Sequence, residues 1–374
     1  MFHCTAATSD LFAGGGGRGL HELTTPLTRS GSAQFVAGSR FRLSSGTATP
    51  SGHFPAAGGA LRAASFWKGR QLHFKAILNN EGGTLRTADT DALIAEITEK
   101  FAAAGHTVDA VLVEGKELET ALDEAVADKG VEGVLIGGGD GSVSGAAAKL
   151  MNTGRVLAVL PAGTMNLFAR SLKIPLDLNA ALDALATASV AEVDVATAND
   201  RPFVHQYSIG MHAKLVHLRE QKEFASRLGK IRASAQAAID TVLDPPRIRV
   251  RLEMPGGTQV EAHTSSIGVT NNLYGEGHIP YTDTPDGGTL GIYITKTRNR
   301  AEMFAFLAKM AMGKWKTNEQ VEIHQTREVA LTVLSAHRRF RCVIDGELCD
   351  LEKKVTLRIH PGALKVLRPA AATA

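Results

Sequence analysis

A glycine-rich segment between two apolar runs places the strongest constraint on how this chain folds. Residues 137–142 read Gly-Gly-Gly-Asp-Gly-Ser and follow the apolar run 133–136, which is typical of a buried strand. Residues 143–151 are rich in Ala and predict a helix. The segment is therefore predicted to be a strand-to-helix loop whose glycines let the backbone turn sharply and approach a ligand closely.

Such a loop presents backbone N–H groups at a helix N-terminus, which suits an anion such as phosphate. Asp140 lies inside the loop, and a carboxylate beside a phosphate needs a cation between them, which implies Mg²⁺. The segment lacks the Gly-Lys-Ser/Thr ending of a Walker A motif and the spacing of a dinucleotide fingerprint. A simpler interpretation is a glycine-rich turn that caps the helix, with Asp140 as a local hydrogen-bonding group.

A second unit of the same kind follows directly. Residues 156–160 form another apolar run, 161–166 read Pro-Ala-Gly-Thr-Met-Asn, and 167–172 predict a helix. Both loops of small residues lie at the carboxyl end of a predicted strand, where ligands bind in open α/β sheets.

The two loops together resemble those of the diacylglycerol-kinase-type lipid kinases, which share a fold with NAD kinases and, more distantly, with phosphofructokinases. The resemblance covers about residues 72–368. It implies a cleft between two domains as the active site, ATP and Mg²⁺ as cofactors, and transfer of the γ-phosphate to a lipid hydroxyl.

The pattern along the chain agrees with a two-domain fold. Strands alternate with helices over 70–194, which predicts a Rossmann-like, doubly wound α/β domain for the nucleotide. Residues 195–354 are mostly β-like runs separated by turns, with one helix at about 218–243, and predict an antiparallel β-sandwich domain for the lipid. In the family, the end of the chain, here residues 355–368, returns to the first domain.

The resemblance also assigns the nucleotide-binding residues. They lie in three loops, and they are Asn79, Gly83, Gly138, Gly139, Asp140, Gly141, Ser142, Gly163, Thr164 and Asn166. Asp140 would engage Mg²⁺ through water. The chain departs from the family's pattern where Asn80 replaces a proline and Leu167 replaces an aspartate.

The resemblance assigns the base that takes the hydroxyl proton to Glu347, with Asp194 as an assisting carboxylate and Asp140 as the third catalytic residue. Glu347 ends an Asp-Gly-Glu segment, although Asp-Gly alone is also the commonest pair in a tight hairpin turn. Some relatives hold a further Mg²⁺ at the position of Asp286, where this chain has Gly287 in place of a second aspartate. His212 likewise replaces a usual aspartate.

Composition sets the expected compartment and partners. Residues 1–68 are rich in Gly, Ser, Thr and Ala and predict a disordered low-complexity extension, although a transit peptide or a mis-assigned start would also fit. No apolar run approaches 18 residues, and the three cysteines lack metal-ligand spacing. We expect a cytoplasmic protein that associates peripherally with a membrane, without a transmembrane segment or nucleic-acid partner; a homodimer stays open.

Two other functions remain as alternatives. An NAD kinase shares the glycine loop, but the chain lacks an Asn-Glu pair after the second loop for a ribose or nicotinamide. A catalytically degenerate nucleotide- or lipid-binding relative is suggested by the replaced positions, and the presence of Asp140, Asp194 and Glu347 argues against it. The sequence leaves open whether the lipid is a diacylglycerol, a sphingoid base or a polyprenol.

Overall fold

The computed structural model describes residues 70–220, 245–297, 299–315, 317–335 and 341–370. The predicted extension at 1–68 lies outside this part, as does most of the helix predicted at about 218–243.

Four parallel strands open the chain's larger sheet, in the order β2-β1-β3-β4. They are β1 His73–Asn79, β2 Thr107–Val113, β3 Gly133–Gly138 and β4 Val156–Pro161. Five helices accompany them: α1 Thr90–Ala103, α2 Leu118–Ala127, α3 Asp140–Leu150, α4 Leu167–Ser171 and α5 Leu178–Ala186. Strands β3 and β4 are buried along their whole length, as expected for a parallel sheet with both faces covered.

Helix α1 illustrates how local sequence sets these elements. Asp89 precedes it, and its side chain accepts a hydrogen bond from Ala92 N at 3.1 Å, which satisfies one of the free N–H groups at the helix start. Leu93, Ile97 and Phe101 follow at four-residue spacing and are buried. The helix therefore lays one apolar face on the sheet.

The following strands are mostly antiparallel and form two sheets. They are β5 Ser189–Ala198, β6 Arg201–Phe203, β7 Gln206–Gly210, β8 Ile248–Glu253, β9 Gln259–Thr264, β10 Ser266–Asn271, β11 Leu290–Thr295, β12 Val321–Thr326, β13 Glu328–Val333, β14 Arg341–Ile344, β15 Glu347–Asp350 and β16 Lys354–Arg368. The smaller sheet has the order β12-β11-β10-β7-β14-β15, and all its pairs are antiparallel. An apolar core that includes Ile209, Ile267, Val250 and Leu331 joins this sheet to strands of the larger one.

The long strand β16 belongs to both halves of the larger sheet. Lys365 and Val366 pair in parallel with β4, whereas Lys354–Arg358 pairs antiparallel with β13. Its register with β5 shifts between His360 and Leu364. The chain end thus extends the parallel sheet, and the predicted boundary at residue 194 falls inside β5.

This architecture confirms the predicted α/β domain followed by an antiparallel β domain. Two further helices, α6 Met211–Glu220 and α7 Arg300–Ala311, accompany the β domain. Among the described helices, none combines the length and the apolar character that a membrane span requires.

The glycine segment differs from the predicted loop, because helix α3 begins at Asp140 rather than at Val143. Gly137 and Gly138 belong to β3, and Gly139 alone separates the strand from the helix. A Cβ atom on Gly137 would lie 2.6 Å from Leu78 Cδ2, so the missing side chain lets the strand continue against its neighbour. The turn is therefore tighter than a six-residue loop.

Candidate functional site

Three chain segments meet at the carboxyl edge of the parallel sheet: 79–84, 138–142 and 162–166. Thr84 N donates to Ala162 O at 2.8 Å, and Asn79 Nδ2 donates to Ser142 Oγ at 3.1 Å. A Cβ atom on Gly163 would lie 2.7 Å from Gly139 Cα, which shows how closely two of the segments approach. The structure thus brings together the three loops that the sequence predicted to bind a nucleotide.

Two glycines in these segments are required by the geometry. Gly83 has a φ of +28°, and a Cβ atom there would collide with the carbonyl oxygen of Ala162. A Cβ atom on Gly138 would lie 2.6 Å from Ser142 Oγ. These positions therefore build the loops by allowing close backbone approach.

Asp140 ties the first glycine turn to the second loop. Its Oδ2 accepts from Asn166 N at 2.9 Å, and its Oδ1 accepts from Leu167 N at 2.6 Å. The Asn166 side chain in turn holds Gly163, accepting from its N at 2.8 Å and donating to its O at 2.9 Å. Asp140 is thus the local hydrogen-bonding group that the simpler interpretation required.

These contacts leave each Asp140 oxygen with a further lone pair. That arrangement fits a cation held through water better than a cation bound directly, as the resemblance implies. Beside it, the backbone leaves an open face: a Cβ atom on Gly141 would have no heavy atom within 4 Å, and Thr164 is exposed. Helix α3 starts at this face without a side-chain cap, and the first N–H groups of a helix have no partner within it, so the residues present fit a bound phosphate.

Asp345 joins the β domain to helix α3. Its Oδ2 accepts from Ser144 Oγ at 2.6 Å and from Val204 N at 2.8 Å, and its Oδ1 accepts from the N atoms of His205 and Gln206. Burial raises the pKa of Asp345, and these four hydrogen bonds oppose the rise. Ser144 lies one helical turn after Asp140, so this carboxylate brings the Asp-Gly-Glu segment next to the glycine turn.

The turn that carries Asp345 is a two-residue hairpin. Asp345 and Gly346 have φ values of 47° and 90°, and Ile344 pairs with Glu347 across the turn. The hairpin-turn interpretation of the Asp-Gly pair is therefore confirmed for the backbone, and the aspartate side chain in addition reaches helix α3 of the other domain.

His205 lies between the two domains beside this turn. Burial lowers its pKa to about 4, although the Asp140 carboxylate opposes the change, so the imidazole is neutral at pH 7. Its ring centroid lies 5.6 Å from that of Tyr274. The influence of the Asp140 charge on this pKa indicates that His205 lies near the glycine turn as well as beside Asp345.

Glu347 lies directly after the turn, and its Oε2 accepts a hydrogen bond from Arg201 Nη2 on β6. Both side chains are partly exposed, at 40% for Glu347 and 33% for Arg201. The structure therefore places Glu347 two residues from the carboxylate that contacts α3, in an ion pair rather than alone.

Asp194 is 2% exposed, and its partners belong to a different set. Its Oδ1 accepts from Gly362 N at 3.0 Å, and its Oδ2 accepts from Asn272 Nδ2 at 3.0 Å and Gly288 N at 2.7 Å. Among the contacts of the described residues, none joins Asp194 to Asp140 or Glu347. Its position fits a residue that holds two segments against β5: the 272–288 loop and the part of β16 where the register with β5 shifts.

Asp286 faces a cation rather than other acidic groups. Its Oδ2 lies 3.7 Å from Arg368 Nη1, and its side chain is 54% exposed. Across the described ranges, no cluster of three or more His, Cys, Asp or Glu side chains is arranged to hold a metal. Among the described residues, Asp286 thus belongs to no group of three or more such side chains that could hold the predicted Mg²⁺.

An apolar cavity of about 270 Å³ opens inside the β domain next to these groups. Its lining is mostly apolar or aromatic and includes Met211, Leu215, Tyr274, Tyr293, Phe306, Leu307, Met310 and Trp315. Gln206 connects it to the turn, because its N donates to Asp345 while its Oε1 accepts from Tyr274 OH at 2.6 Å. The volume is near the lower end of the roughly 300–1,000 Å³ usual for ligand pockets.

Several groups of this site were not predicted from the sequence. Asp345 was recognised only as part of a motif and turn, and Ser144, His205 and Gln206 were not identified. The Asp345–Ser144 contact spans 201 positions of the chain, so no local pattern signals it. Residues 203–210 form one of the predicted β-like runs, and Gln206 lies in strand β7, which begins within that run.

Two family models match the chain. One, described as the diacylglycerol kinase catalytic domain, matches residues 73–198. The other, described as the YegS C-terminal NAD kinase beta sandwich-like domain, matches residues 207–368. Together they cover well over half of the chain.

Individual proteins are also similar to this chain in sequence or in fold. A protein of Streptococcus pneumoniae named "Putative lipid kinase" is 24% identical over 245 residues, covering 64% of this chain and 81% of its own. An uncharacterised protein of Synechocystis is 26% identical over 269 residues, and the match spans 68% of this chain but only 60% of that protein. A crystal structure of a diacylglycerol kinase from Bacillus anthracis superposes with a TM-score of 0.62 at 19% identity, covering 82% of this chain and all of that one, which shows a shared fold.

Proposed function

We propose that this chain, which belongs to the diacylglycerol-kinase-type family of lipid kinases, transfers the γ-phosphate of ATP to a hydroxyl group of a lipid. The observation that carries the proposal is the position of Gln206, which contacts both the Asp345 turn and the lining of the apolar cavity. On one side lies the glycine-lined edge of the α/β domain, reached through Asp345 and Ser144. On the other lies the apolar cavity. A phosphate donor and an apolar acceptor would therefore meet in one cleft.

The chain's own residues supply positioning and proton transfer. N–H groups at the start of α3 would hold phosphate oxygens, and Asp140 would hold Mg²⁺ through water while keeping the second loop in place. Mg²⁺, when bound, would neutralise phosphate charge. Glu347 would accept the hydroxyl proton, and Asp345 would position it by fixing the turn between the domains.

The cavity wall contains a polar group that would meet the acceptor. His212 Nδ1 lies 2.7 Å from Ser208 Oγ and 3.2 Å from Gln206 Nε2, and all three side chains line the cavity. Polar groups that are few and fixed within an apolar pocket orient a ligand. They would hold the polar part of a lipid near Gln206, with its hydrocarbon chain among the aromatic residues.

Helix α7 supports access from a membrane surface. Phe306, Leu307 and Met310 line the cavity, whereas Phe304 and Met312 are 59% and 54% exposed. Exposed apolar side chains beside an apolar cavity are suited to contact with lipid. We therefore propose peripheral association of a cytoplasmic enzyme, with the lipid entering near α7.

The proposal is tested by phosphate transfer from labelled ATP to diacylglycerol, sphingoid base and polyprenol in mixed micelles, and to NAD, using the wild-type chain and two Gly268 variants. Gly268 lines the cavity, and a Cβ atom there would meet only Gln206 Oε1, at 3.9 Å. Gly268→Leu should fill the cavity and lower kcat/KM for the lipid by about tenfold or more, the effect of roughly 1.4 kcal/mol.

Gly268→Ala is the matched control, because one methyl group leaves most of the cavity open and should cost little activity. The KM for ATP should stay unchanged in both variants. Equal activity of Gly268→Leu and wild type would contradict the cavity as the lipid site. Formation of NADP, with no labelled lipid, would replace the proposal with an NAD kinase.

A separate prediction tests the phosphate position. Gly141→Ala places a methyl group on the open face at the start of α3, where no protein atom opposes it. We expect unchanged or slightly higher thermal stability, because alanine favours a helix by up to about 1 kcal/mol over glycine. We expect the KM for ATP to rise about tenfold or more, since the methyl group would occupy the phosphate space.

Steady-state kinetics and thermal unfolding measure the two effects separately. Gly268→Ala again serves as control, because it should leave the KM for ATP unchanged. A wild-type KM for ATP in Gly141→Ala would mean that phosphate binds elsewhere.

A further inference from the structure

Two buried cysteines lie directly opposite each other on the hairpin that carries Asp345 and Glu347. Cys342 on β14 pairs in register with Cys349 on β15. They are free thiols, exposed by 3% and 9%; Cys342 Sγ donates to Asp350 O at 3.4 Å, and Cys349 Sγ donates to Glu347 O at 3.5 Å. Opposite residues of an antiparallel pair have Cα atoms about 4.5–5.5 Å apart, within the range of roughly 4.4–6.8 Å for a disulfide.

We propose that Cys342 and Cys349 form a reversible disulfide when the protein meets a peroxide, which makes this hairpin an oxidation-sensitive site. The proposal does not depend on the proposed kinase activity, because it rests on the pairing of the two cysteines across the hairpin and on the contact of Arg201 with Cys349, and it is tested by chemical analysis.

The surroundings give the two sulfurs different roles. Arg201 Nη1 donates to Cys349 Sγ at 2.8 Å, while Arg201 Nη2 donates to Glu347. The neighbouring Cys342 thiol and the charge of Arg201 lower the pKa of Cys349 to about 7, although burial and the Glu347 charge oppose this. The neighbouring Cys349 sulfur and burial raise the pKa of Cys342. Cys349 is therefore the nucleophile and Cys342 the resolving thiol.

The reaction balances with one hydrogen peroxide molecule. The Cys349 thiolate attacks a peroxide oxygen and breaks the O–O bond, giving a sulfenic acid and hydroxide. The Cys342 thiol then attacks the Cys349 sulfur and forms the S–S bond, and its proton leaves with the sulfenic oxygen as water. The proton that the Cys349 thiol lost on ionising neutralises the hydroxide to a second water. The two thiols lose two electrons, and the peroxide gains them.

A disulfide here would be reducible rather than a structural link. It closes the short loop of a hairpin, and a short closed loop removes less entropy from the unfolded chain than a long one. Neighbouring strands also limit how far the two backbones can adjust to disulfide geometry, and a constrained disulfide is reduced more readily. The site therefore fits a reversible modification.

The test uses the full chain with Cys4→Ser, so that only Cys342 and Cys349 remain. The protein is treated with stoichiometric hydrogen peroxide, alkylated with iodoacetamide, and analysed by intact mass and non-reducing peptide mapping. We expect loss of two hydrogen atoms, protection of both cysteines, a Cys342–Cys349 linked peptide, and full reversal by dithiothreitol. Two alkylated thiols after peroxide, a stable oxidised Cys349 without the link, or a link between chains would each overturn the proposal.

Arg201→Gln tests the role of the cation in the same Cys4→Ser background. At pH 7 the wild-type Cys349 should be about half thiolate, whereas an ordinary thiol is a few per cent. We expect alkylation of Cys349 to rise with pH through about 7 in the parent and to be severalfold slower at pH 7 in Arg201→Gln, because Arg201 supplies only part of the lowering of the pKa. An unchanged rate would overturn the assignment of Cys349 as the nucleophile.

Cys342→Ala removes the resolving thiol. This variant should abolish the linked peptide and leave a sulfenic acid on Cys349.

Discussion

Asp194→Asn should lower the free energy of unfolding by about 2–4 kcal/mol while leaving kcat per folded molecule close to that of the wild type. Each Asp194 carboxylate oxygen accepts from an N–H donor of another segment: Gly362 N on one side, Asn272 Nδ2 and Gly288 N on the other. An asparagine has only one side-chain oxygen. In either orientation its NH₂ group would take the place of a carboxylate oxygen and face at least one of these N–H donors in a buried site. At least one hydrogen bond is then lost, and two donor groups point at each other.

Urea unfolding measures the first effect, and kcat corrected for the folded fraction measures the second. Asp286→Asn is the matched control, since it makes the same change in an exposed carboxylate whose nearest cation, on Arg368, lies 3.7 Å away. It should change stability by less than about 1 kcal/mol. If Asp194→Asn instead unfolds like the wild type and loses kcat by about 10²-fold or more, then Asp194 assists proton transfer as the family resemblance implied.

The control variant also tests the predicted Mg²⁺ site at Asp286. If a metal is held there, Asp286→Asn should reduce the stabilisation that added Mg²⁺ gives to unfolding. The contact with Arg368 favours the opposite result, in which the Mg²⁺ dependence is the same as in the wild type.

The part of this site that the sequence predicted well depends on local rules. Residues 137–142 and 161–166 each follow an apolar run, and parallel strands place their carboxyl ends at one edge of a sheet. The contacts of Asp140 with Asn166 and Leu167 follow directly from that arrangement. Periodicity and handedness are sufficient to bring these loops together.

The start of helix α3 is a feature that local sequence patterns do not predict. Glycine favours loops in a sequence pattern, but Gly137 and Gly138 continue β3 because the space of their side chains is taken by Leu78 and Ser142. That space is set by neighbouring strands and by the next turn of the helix. A single sequence does not show which glycines serve a ligand and which serve packing.

The contacts between distant segments of the two domains could not be predicted from the sequence, for a different reason. Asp345 contacts Ser144 and Gln206, and Asp194 contacts Asn272 and Gly362, across 78 to 201 positions of the chain. The Asp345–Gln206 pair spans 139 of them. Such pairs depend on how two sheets pack, which leaves no periodic pattern. The resemblance placed Asp194 beside Glu347, but it could not show that their hydrogen-bond partners are separate.

That separation changes what a double substitution should do. If Asp194 and Glu347 acted as one unit, the losses from their variants would be far less than additive. Because they share no contact among the described residues, we expect the double variant to be additive in each quantity separately: its unfolding free energy and its activation free energy, from kcat, should each equal the sum of the single-variant changes within about 0.5 kcal/mol.

Glu347→Gln should lower kcat by about 10²- to 10⁴-fold with little change in the KM for ATP. A hydroxyl group is a poor nucleophile at neutral pH, and the glutamine keeps the size and hydrogen bonding of glutamate but cannot take a proton. Stability should change by less than about 1 kcal/mol, because the Glu347–Arg201 ion pair is partly exposed. Lipid phosphorylation under saturating ATP measures kcat, and urea unfolding verifies the fold.

Arg201→Gln separates a catalytic role of Glu347 from a role as the partner of Arg201. It breaks the same ion pair but leaves the carboxylate, so its kcat should fall far less than that of Glu347→Gln. Equal losses in the two variants would mean that the ion pair, rather than the base, matters for activity. A Glu347→Gln variant with wild-type kcat would direct the search to Asp345, because that carboxylate contacts Ser144 at 2.6 Å and burial already raises its pKa.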